Sequence, residues 1–163
     1  MKYVIILAIV MIPTFGNANW DESAHVQYVV ADFKYRTSIE KACVRWSCPP
    51  FLTTNFFLAL MVVENQPLNP RAVSSSGAVG LMQIKPSTAG DLGISGGLTN
   101  EYTNILSGVG YLTSLVKRYK FRTLDSVALA YKEGPTAARR IMRTKFNISS
   151  HPYNRRLALL RLQ

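Results

Sequence analysis

The sequence contains few acidic residues, few cysteines and few histidines. Of its 163 residues, 9 are Asp or Glu, 2 are Cys and 2 are His. The two cysteines have no histidine nearby, and two ligands alone do not make a zinc site. No internal repeat or low-complexity tract is visible. Hydrophobic residues make up 48% and charged residues 17% of the chain, a balance typical of a single globular domain. We predict neither a metal site nor a cofactor.

The shortage of acidic residues leaves the chain strongly basic, with 19 Lys and Arg residues and a formal net charge of +10. This charge indicates an anionic partner, which could be nucleic acid, anionic lipid or an acidic cell-wall polymer. The pairs Arg139-Arg140 and Arg155-Arg156 are equally well explained as solvated helix faces. Charge alone does not choose among these partners.

The N-terminal apolar run, Val4–Ile12, is too short to form a stable membrane span. A lysine precedes it, Pro13 interrupts it, and Ala18 offers a small residue for cleavage. We predict a signal peptide at 1–18 and a mature domain at 19–163, with no integral membrane span after cleavage and a periplasmic or secreted location. Export argues against nucleic acid as the partner. A membrane anchor or a buried helix is the alternative.

Cys43 and Cys48 are separated by four residues. In an oxidising compartment, two such thiols can close a small loop, so we predict a disulfide between them. Two free cysteines are the alternative, because short disulfide loops are geometrically demanding.

Helical segments separated by Gly, Pro and Ser account for most of the chain. The predicted helices are Ala24 to about Lys41, Phe51 to Val63, Pro86 to about Leu92, Asn100 to about Tyr119, Leu124 to Lys132, Gly134-Pro135 to about Phe146, and Tyr153 to Leu162. The first is indicated by apolar residues at helical spacing, namely Val26, Val29, Val30 and Phe33. We predict an all-α single domain, with room for a small β-ribbon near Val73–Gln83.

The segment Phe51–Val63 is apolar on almost every side, which predicts a helix in the middle of the core. A buried strand is the rival interpretation, although the length favours a helix.

Glu64 follows this apolar segment directly. Leu60 and Phe57 lie on its own helical face, four and seven residues earlier. Poor solvation there raises the pKa of the carboxyl, so that it can stay protonated and donate to a leaving oxygen, as glycosidic cleavage requires. The alternative is that Glu64 marks the solvent-facing end of a core helix.

Several motifs follow Glu64 in a fixed order. They are Asn69-Pro70, Ser74, Gly77-Ala78, Gly80-Leu81-Met82-Gln83, Pro86 and Thr88-Ala89, then Asn104-Ile105, Gly108, Tyr111-Leu112 and Leu129-Ala130-Tyr131-Lys132-Glu133-Gly134-Pro135. In this order they resemble the soluble-type lytic transglycosylases, which are relatives of goose-type lysozyme. The resemblance covers about Pro50 to Tyr153.

The resemblance implies a lysozyme-like fold and a lytic transglycosylase that acts on peptidoglycan glycan strands. Glu64 would be the general acid and then the general base. Gln83, with Met82, would face a sugar subsite, and Ser74 would hydrogen-bond near the substrate N-acetyl group. Tyr131 would position the Glu64 carboxyl through its hydroxyl.

The sequence departs from the family pattern at three places. Asn65 replaces the usual Ser after the Glu, and one extra residue precedes Asn69-Pro70. Lys132-Glu133 stands where Asn and a small residue are usual.

The resemblance also implies a substrate-assisted reaction with one carboxylate, which yields a 1,6-anhydro-N-acetylmuramic acid end. No Asp or Glu lies within Asn65–Lys85 to act as a second group, and the remaining acids Asp91, Glu101, Asp125 and Glu133 are expected to be helix caps or surface charges. A lysozyme-type hydrolase is the alternative enzyme, and a non-catalytic cell-wall-binding module is the alternative class.

The sequence is compatible with two biological settings. A small single-domain transglycosylase resembles those that open the wall for secretion or conjugation machines. General murein turnover is an equal alternative.

Overall fold

The computed structural model describes residues 18–144 and 146–161, so positions 1–17 of the predicted signal peptide lie outside the described part. The helices there are α1 (Ala18–Trp46), α2 (Thr54–Glu64), α3 (Pro86–Asp91), α4 (Glu101–Lys117), α5 (Leu124–Glu133), α6 (Pro135–Met142) and α7 (Pro152–Arg161), with a 3₁₀ turn at Ile148–Ser150. Within these ranges there is no regular strand, and the predicted all-α class is confirmed.

α1 is a 29-residue helix that extends beyond the predicted segment at both ends. Its buried face carries Ala24, Tyr28, Ala31, Tyr35, Ile39 and Ala42 and packs against α2 and α4. The apolar stripe that indicated the helix is exposed instead, from 45% at Val30 to 97% at Phe33. Both stripes have helical spacing, so the pattern identified the helix but not the side that packs.

α2 lies in the middle of the core, as predicted, and the rival interpretation as a strand is wrong. Every residue from 56 to 62 is buried, and the helix packs against α1 and α7. The Phe56 amide donates to the Thr53 hydroxyl oxygen at 3.3 Å, which caps the first turn. Glu64 is the last residue of this buried helix, so the core itself fixes where its carboxyl emerges.

The remaining helices pack mainly on one another: α4 contacts α1, α3 and α5, and α5 contacts α6 and α7. The side-chain oxygen of Asn100 caps α4, and Thr123 and Ser126 form a reciprocal capping box at the start of α5. α6 ends at Met142 rather than near Phe146. Just beyond its end, the Thr144 hydroxyl donates to the Ile141 carbonyl at 2.7 Å and so satisfies one of the last carbonyl groups. None of the described helices is long and apolar enough to cross a membrane.

Candidate active site

A cavity of about 510 Å³ opens at the end of α2, between the 65–85 segment and helices α4 and α5. Glu64, Ser74, Gln83 and Tyr131 all line it, so the structure brings together four of the five predicted catalytic and substrate-binding residues. The other lining residues are Ser76, Ala78, Ile84, Lys85, Thr88, Tyr111, Lys132, Glu133 and Gly134.

The Glu64 carboxyl is held by a residue that the sequence analysis missed. The Tyr153 hydroxyl, on the buried side of α7, donates to Glu64 Oε1 at 2.7 Å. Burial raises the pKa of Glu64, while the Tyr153 hydrogen bond and the charge of Lys132 oppose that rise. The cause is the desolvation expected from the apolar face of α2, where Phe57 and Leu60 are both fully buried.

The predicted hydrogen bond from Tyr131 to Glu64 is wrong. The Tyr131 hydroxyl donates to the Met82 carbonyl at 2.5 Å, and its ring lies 5.4 Å from the Tyr111 ring, centroid to centroid. Tyr131 is near enough to Glu64 for the carboxylate to raise the pKa of its phenol, but burial is the larger cause. Its contact fixes the backbone next to Gln83 rather than the acid.

The prediction that Met82 faces a sugar is also wrong. Met82 is fully buried, and its thioether lies against Gly108 of α4, where any Cβ would collide with it. Its amide donates to Asn104 Oδ1 at 2.8 Å. The motif residue Met82 therefore anchors the segment to the core and leaves the next residue, Gln83, at the cavity.

Two buried asparagines hold the 65–85 segment in place. Asn65 Nδ2 donates to the carbonyls of Asn69 at 2.7 Å and Gly80 at 3.0 Å. Asn104 Nδ2 donates to the carbonyls of Val79 at 2.8 Å and Leu98 at 2.9 Å. The departure at Asn65 thus supplies a structural clamp directly beside Glu64.

The possible ribbon near Val73–Gln83 is reduced to two isolated antiparallel bridges, Val73–Val79 and Val79–Ile84. The turn between them is shaped by Gly77 and Gly80, which both have a φ of +79°. These bridges place Ser74 and Gln83 on one wall of the cavity.

Ser74 and Gln83 are partly exposed, and each side chain also forms a hydrogen bond with a backbone group. The Ser74 hydroxyl oxygen accepts from the Ala78 amide at 3.0 Å and lies 3.1 Å from the Ser76 hydroxyl, so its own proton can go to Ser76 or to a ligand. Gln83 has a φ of +48°, and its Nε2 donates to the Gly80 carbonyl at 2.9 Å. That bond leaves the Gln83 side-chain oxygen available as an acceptor.

Glu133 is exposed, as expected of a surface charge, and it also lines the cavity. Its Oε1 lies 3.7 Å from His151 Nε2. Asp125, in contrast, is in the first turn of α5 and accepts from the Ser149 hydroxyl, and Glu101 pairs with Lys34 at 2.7 Å. Both therefore have the structural roles that the sequence suggested.

Cys43 and Cys48 are both free thiols in this structure. They are close enough to hydrogen-bond each other, and this bond together with burial raises the pKa of Cys43. In Cys48 the hydrogen bonds with Cys43 and Thr113 lower the pKa to about 7, against the opposing effect of burial. Cys48 Sγ also lies 3.1 Å from the Thr113 hydroxyl of α4. The disulfide remains a prediction. Among the described residues, no group of three or more His, Cys, Asp and Glu side chains could hold a metal ion.

Solved structures identify the class of fold. The chain is similar to the lytic transglycosylase Slt of Pseudomonas aeruginosa, solved as an inactive mutant, with a TM-score of 0.61 and 19% identity over 80% of this chain and 23% of that one. It is also similar to the 70 kDa soluble lytic transglycosylase SLT70 of Escherichia coli, with a TM-score of 0.59 and 20% identity over 88% of this chain and 26% of that one. These likenesses support the lysozyme-like fold that the sequence resemblance implied.

The family follows from the sequence match. Residues 43–153 match the transglycosylase SLT domain, and the chain belongs to that family. It is 35% identical over 111 residues to endo-type membrane-bound lytic murein transglycosylase A of Klebsiella pneumoniae, which covers 62% of this chain and 51% of that protein. It is 31% identical over 142 residues to membrane-bound lytic murein transglycosylase C of Histophilus somni, which covers 75% of this chain and 37% of that protein. The chain thus spans about half, or less, of the length of these relatives.

Proposed function

We propose that the chain is a murein lytic transglycosylase that cleaves the bond between N-acetylmuramic acid and N-acetylglucosamine, with Glu64 as its only acid and base. The observation that carries the proposal is the environment of Glu64. Its carboxyl faces the cavity at the end of a buried helix, its pKa is raised by burial, and Tyr153 holds one of its oxygens. An acid kept protonated in a cleft suits protonation of a glycosidic oxygen.

The reaction uses the substrate in place of a second carboxylate. Glu64 gives its proton to the bridging oxygen, and the bond from that oxygen to C1 of the muramic residue breaks. The muramic N-acetyl oxygen supports the positive charge that develops at C1. Glu64, now a carboxylate, takes the proton of the muramic 6-hydroxyl, and O6 bonds to C1. No water is consumed, and Glu64 ends the cycle protonated.

The cavity walls supply positioning groups for this reaction. We assign Ser74 to the substrate N-acetyl group, because its hydroxyl already accepts from a backbone amide and has a proton left to donate. Gln83 is assigned to a sugar hydroxyl through its free side-chain oxygen. Tyr153 positions the acid, and Tyr131 positions the Met82–Gln83 backbone.

A lysozyme-type hydrolase on the same fold is the second candidate, favoured by one observation. Glu133 is the other carboxylate among the described cavity-lining residues, and a second carboxylate could activate water. Its carboxylate oxygen, however, lies 3.7 Å from His151 Nε2, a contact that favours pairing with the imidazole over activation of water.

Product analysis separates the two candidates. Purified murein is digested with the wild-type chain and with Glu133→Gln, and the muropeptides are identified by mass spectrometry. We expect 1,6-anhydro ends from both proteins. Reducing ends alone, together with loss of activity in Glu133→Gln, would establish the hydrolase. If murein stays intact with a folded wild-type chain, the cell-wall-binding module is the correct class.

We further propose that the chain works in the bacterial cell envelope, in the periplasm or outside the cell, where murein is found. Local wall opening for a secretion or conjugation machine is compatible with its basic charge. A strain lacking the protein would then lose transfer or secretion while keeping normal growth.

A further inference from the structure

Lys132 lies on the wall of the active-site cavity and has no carboxylate partner within the described residues. It directly follows Tyr131 on α5 and is exposed. Its Nζ lies 5.5 Å from the centroid of the Tyr153 ring, whose hydroxyl holds Glu64. The ammonium is close enough to Glu64 for its charge to oppose the rise in the pKa of that carboxyl. The ammonium therefore lies beside the side chain that positions the Glu64 carboxyl.

The charges of the cavity favour an anionic ligand. Lys85, just before α3, is a second cavity-lining lysine without an ion pair among the described residues. When Glu64 is protonated, these two ammonium groups face the single carboxylate of Glu133, which itself lies beside His151. A cleft with excess positive charge attracts anionic groups. A neutral sugar chain offers nothing that needs an unpaired ammonium.

We propose that Lys132 is a specificity-determining residue that binds a carboxylate of the murein substrate beside the bond to be cleaved. The inference rests on the proposed function, since it names the substrate group that the same cavity takes. The carboxylate has two sources in murein. One is the lactyl group of a muramic residue that has lost its peptide stem, and the other is the stem of a residue that retains it. In either case the enzyme would prefer acidic murein to a neutral glycan of the same backbone.

Binding to insoluble murein tests this without turnover. The protein carries Glu64→Gln, so that the substrate stays uncut, and bound protein is measured by sedimentation. Lys132→Gln removes the charge and Lys132→Arg retains it. Lys41→Gln is the matched control, because it removes the same charge from an exposed position on α1 outside the cavity. Exposed ion pairs are weak, so we expect Lys132→Gln to weaken binding by about 2- to 5-fold relative to Lys41→Gln.

Chemical treatment of the murein identifies the group that is bound. Amidation of all murein carboxylates should abolish the difference in binding between the Lys132→Gln protein and the Glu64→Gln protein that retains Lys132. Removal of the stems with an amidase frees the lactyl carboxylates to which the stems were attached. This treatment should abolish the difference in binding if the stem is the source of the carboxylate, and should enlarge it if the lactyl group is. Equal binding of Lys132→Gln and Lys41→Gln to both native and amidase-treated murein, or a difference that survives amidation, would overturn the proposal.

A kinetic measurement on the protein with Glu64 intact adds a second readout. Lys132→Gln should raise KM for native murein and leave KM for amidated murein unchanged. It should also move the alkaline limb of the pH profile of kcat/KM to higher pH, because a charge that lowers the pKa of Glu64 is gone. Failure of the wild type to release any product would refute the proposed function, whereas the binding comparison would still decide whether Lys132 recognises a carboxylate.

Discussion

Replacement of Tyr153 by Phe removes one hydroxyl from the buried side of α7 and leaves the ring in place. That hydroxyl is the donor to Glu64 Oε1 at 2.7 Å. A hydrogen bond to a charged group contributes about 1.5–3 kcal/mol, and the open cavity lets water replace part of it. At about 1.4 kcal/mol for each tenfold change in rate, we expect kcat/KM to fall about tenfold.

The pH profile gives the more specific readout. The Tyr153 hydrogen bond lowers the pKa of Glu64, so its loss should raise that pKa further. Glu64 must be protonated to begin the reaction, and activity is lost as pH rises through its pKa. The alkaline limb of kcat/KM should therefore move to higher pH in Tyr153→Phe, as followed by muropeptide release across a pH series.

Tyr131→Phe is the matched control, because it removes the same group from the other cavity tyrosine. Its hydroxyl donates to the neutral Met82 carbonyl, so we expect kcat/KM to fall about 2- to 10-fold while the alkaline limb of the pH profile stays at the same pH. The reverse result, with a moved limb in Tyr131→Phe and an unchanged one in Tyr153→Phe, would refute the assignment of the two tyrosines.

Three other predictions concern stability, thiols and export. Gly80→Ala should destabilise the fold by about 2–4 kcal/mol in urea unfolding, because φ is +79° and the new Cβ would collide with Asn104 and the Leu98 carbonyl. Gly77→Ala is the control: it has the same φ but open space around the new Cβ, and it should cost about 1 kcal/mol. Equal losses of stability in the two variants would contradict the argument from close packing. In exported protein, Cys43 and Cys48 should resist alkylation until they are reduced, and the disulfide should contribute about 2 kcal/mol to the free energy of unfolding through loop entropy. Alkylation of both thiols without a reductant would show that the two cysteines are free. N-terminal sequencing should find Asn19 first, and an exported chain that begins at Met1 would refute cleavage.

The sequence predicted the burial of the Glu64 carboxyl better than the contacts that the carboxyl makes. Glu64 was recognisable because its position at the end of an apolar helix implies desolvation, and that depends on local spacing alone. Tyr153 was not recognisable, since 88 residues separate it from Glu64 and nothing in its own helix marks it as facing the acid. The family motif pointed to Tyr131 instead, whose hydroxyl serves the backbone.

Periodicity predicted helices but not always the side that packs. In α1, Val29 and Phe33 are exposed, while Ala31, Tyr35 and Ile39 face the core. Alanine on that face allows α2 and α4 to approach, a requirement set by the partner helices and invisible in the segment itself. For the same reason Met82, adjacent to Gln83 in the motif, could not be identified as a core residue until its packing on Gly108 was known.

Glu64→Gln should also affect stability, by an amount that depends on pH. The pKa of Glu64 is higher in the folded protein than in the unfolded chain. The protonated carboxyl is therefore tolerated in acid, and the fold loses stability as pH rises towards the folded pKa and the buried group ionises. The variant should match the wild type in acid and gain melting temperature above that pKa. A loss of stability throughout, with reduced helical circular dichroism, would support a structural role for Glu64 at the helix end.

The most direct test of the central claim is mass spectrometry of murein treated with wild-type and Glu64→Gln protein, both verified as folded. General acid and base catalysis typically contributes about 10²–10⁴-fold, and Glu64 has both roles here, so the variant should lose at least that much activity. We expect 1,6-anhydro-N-acetylmuramic acid ends from the wild type and none above background from Glu64→Gln. A folded Glu64→Gln protein that releases anhydro products at the wild-type rate would contradict the account.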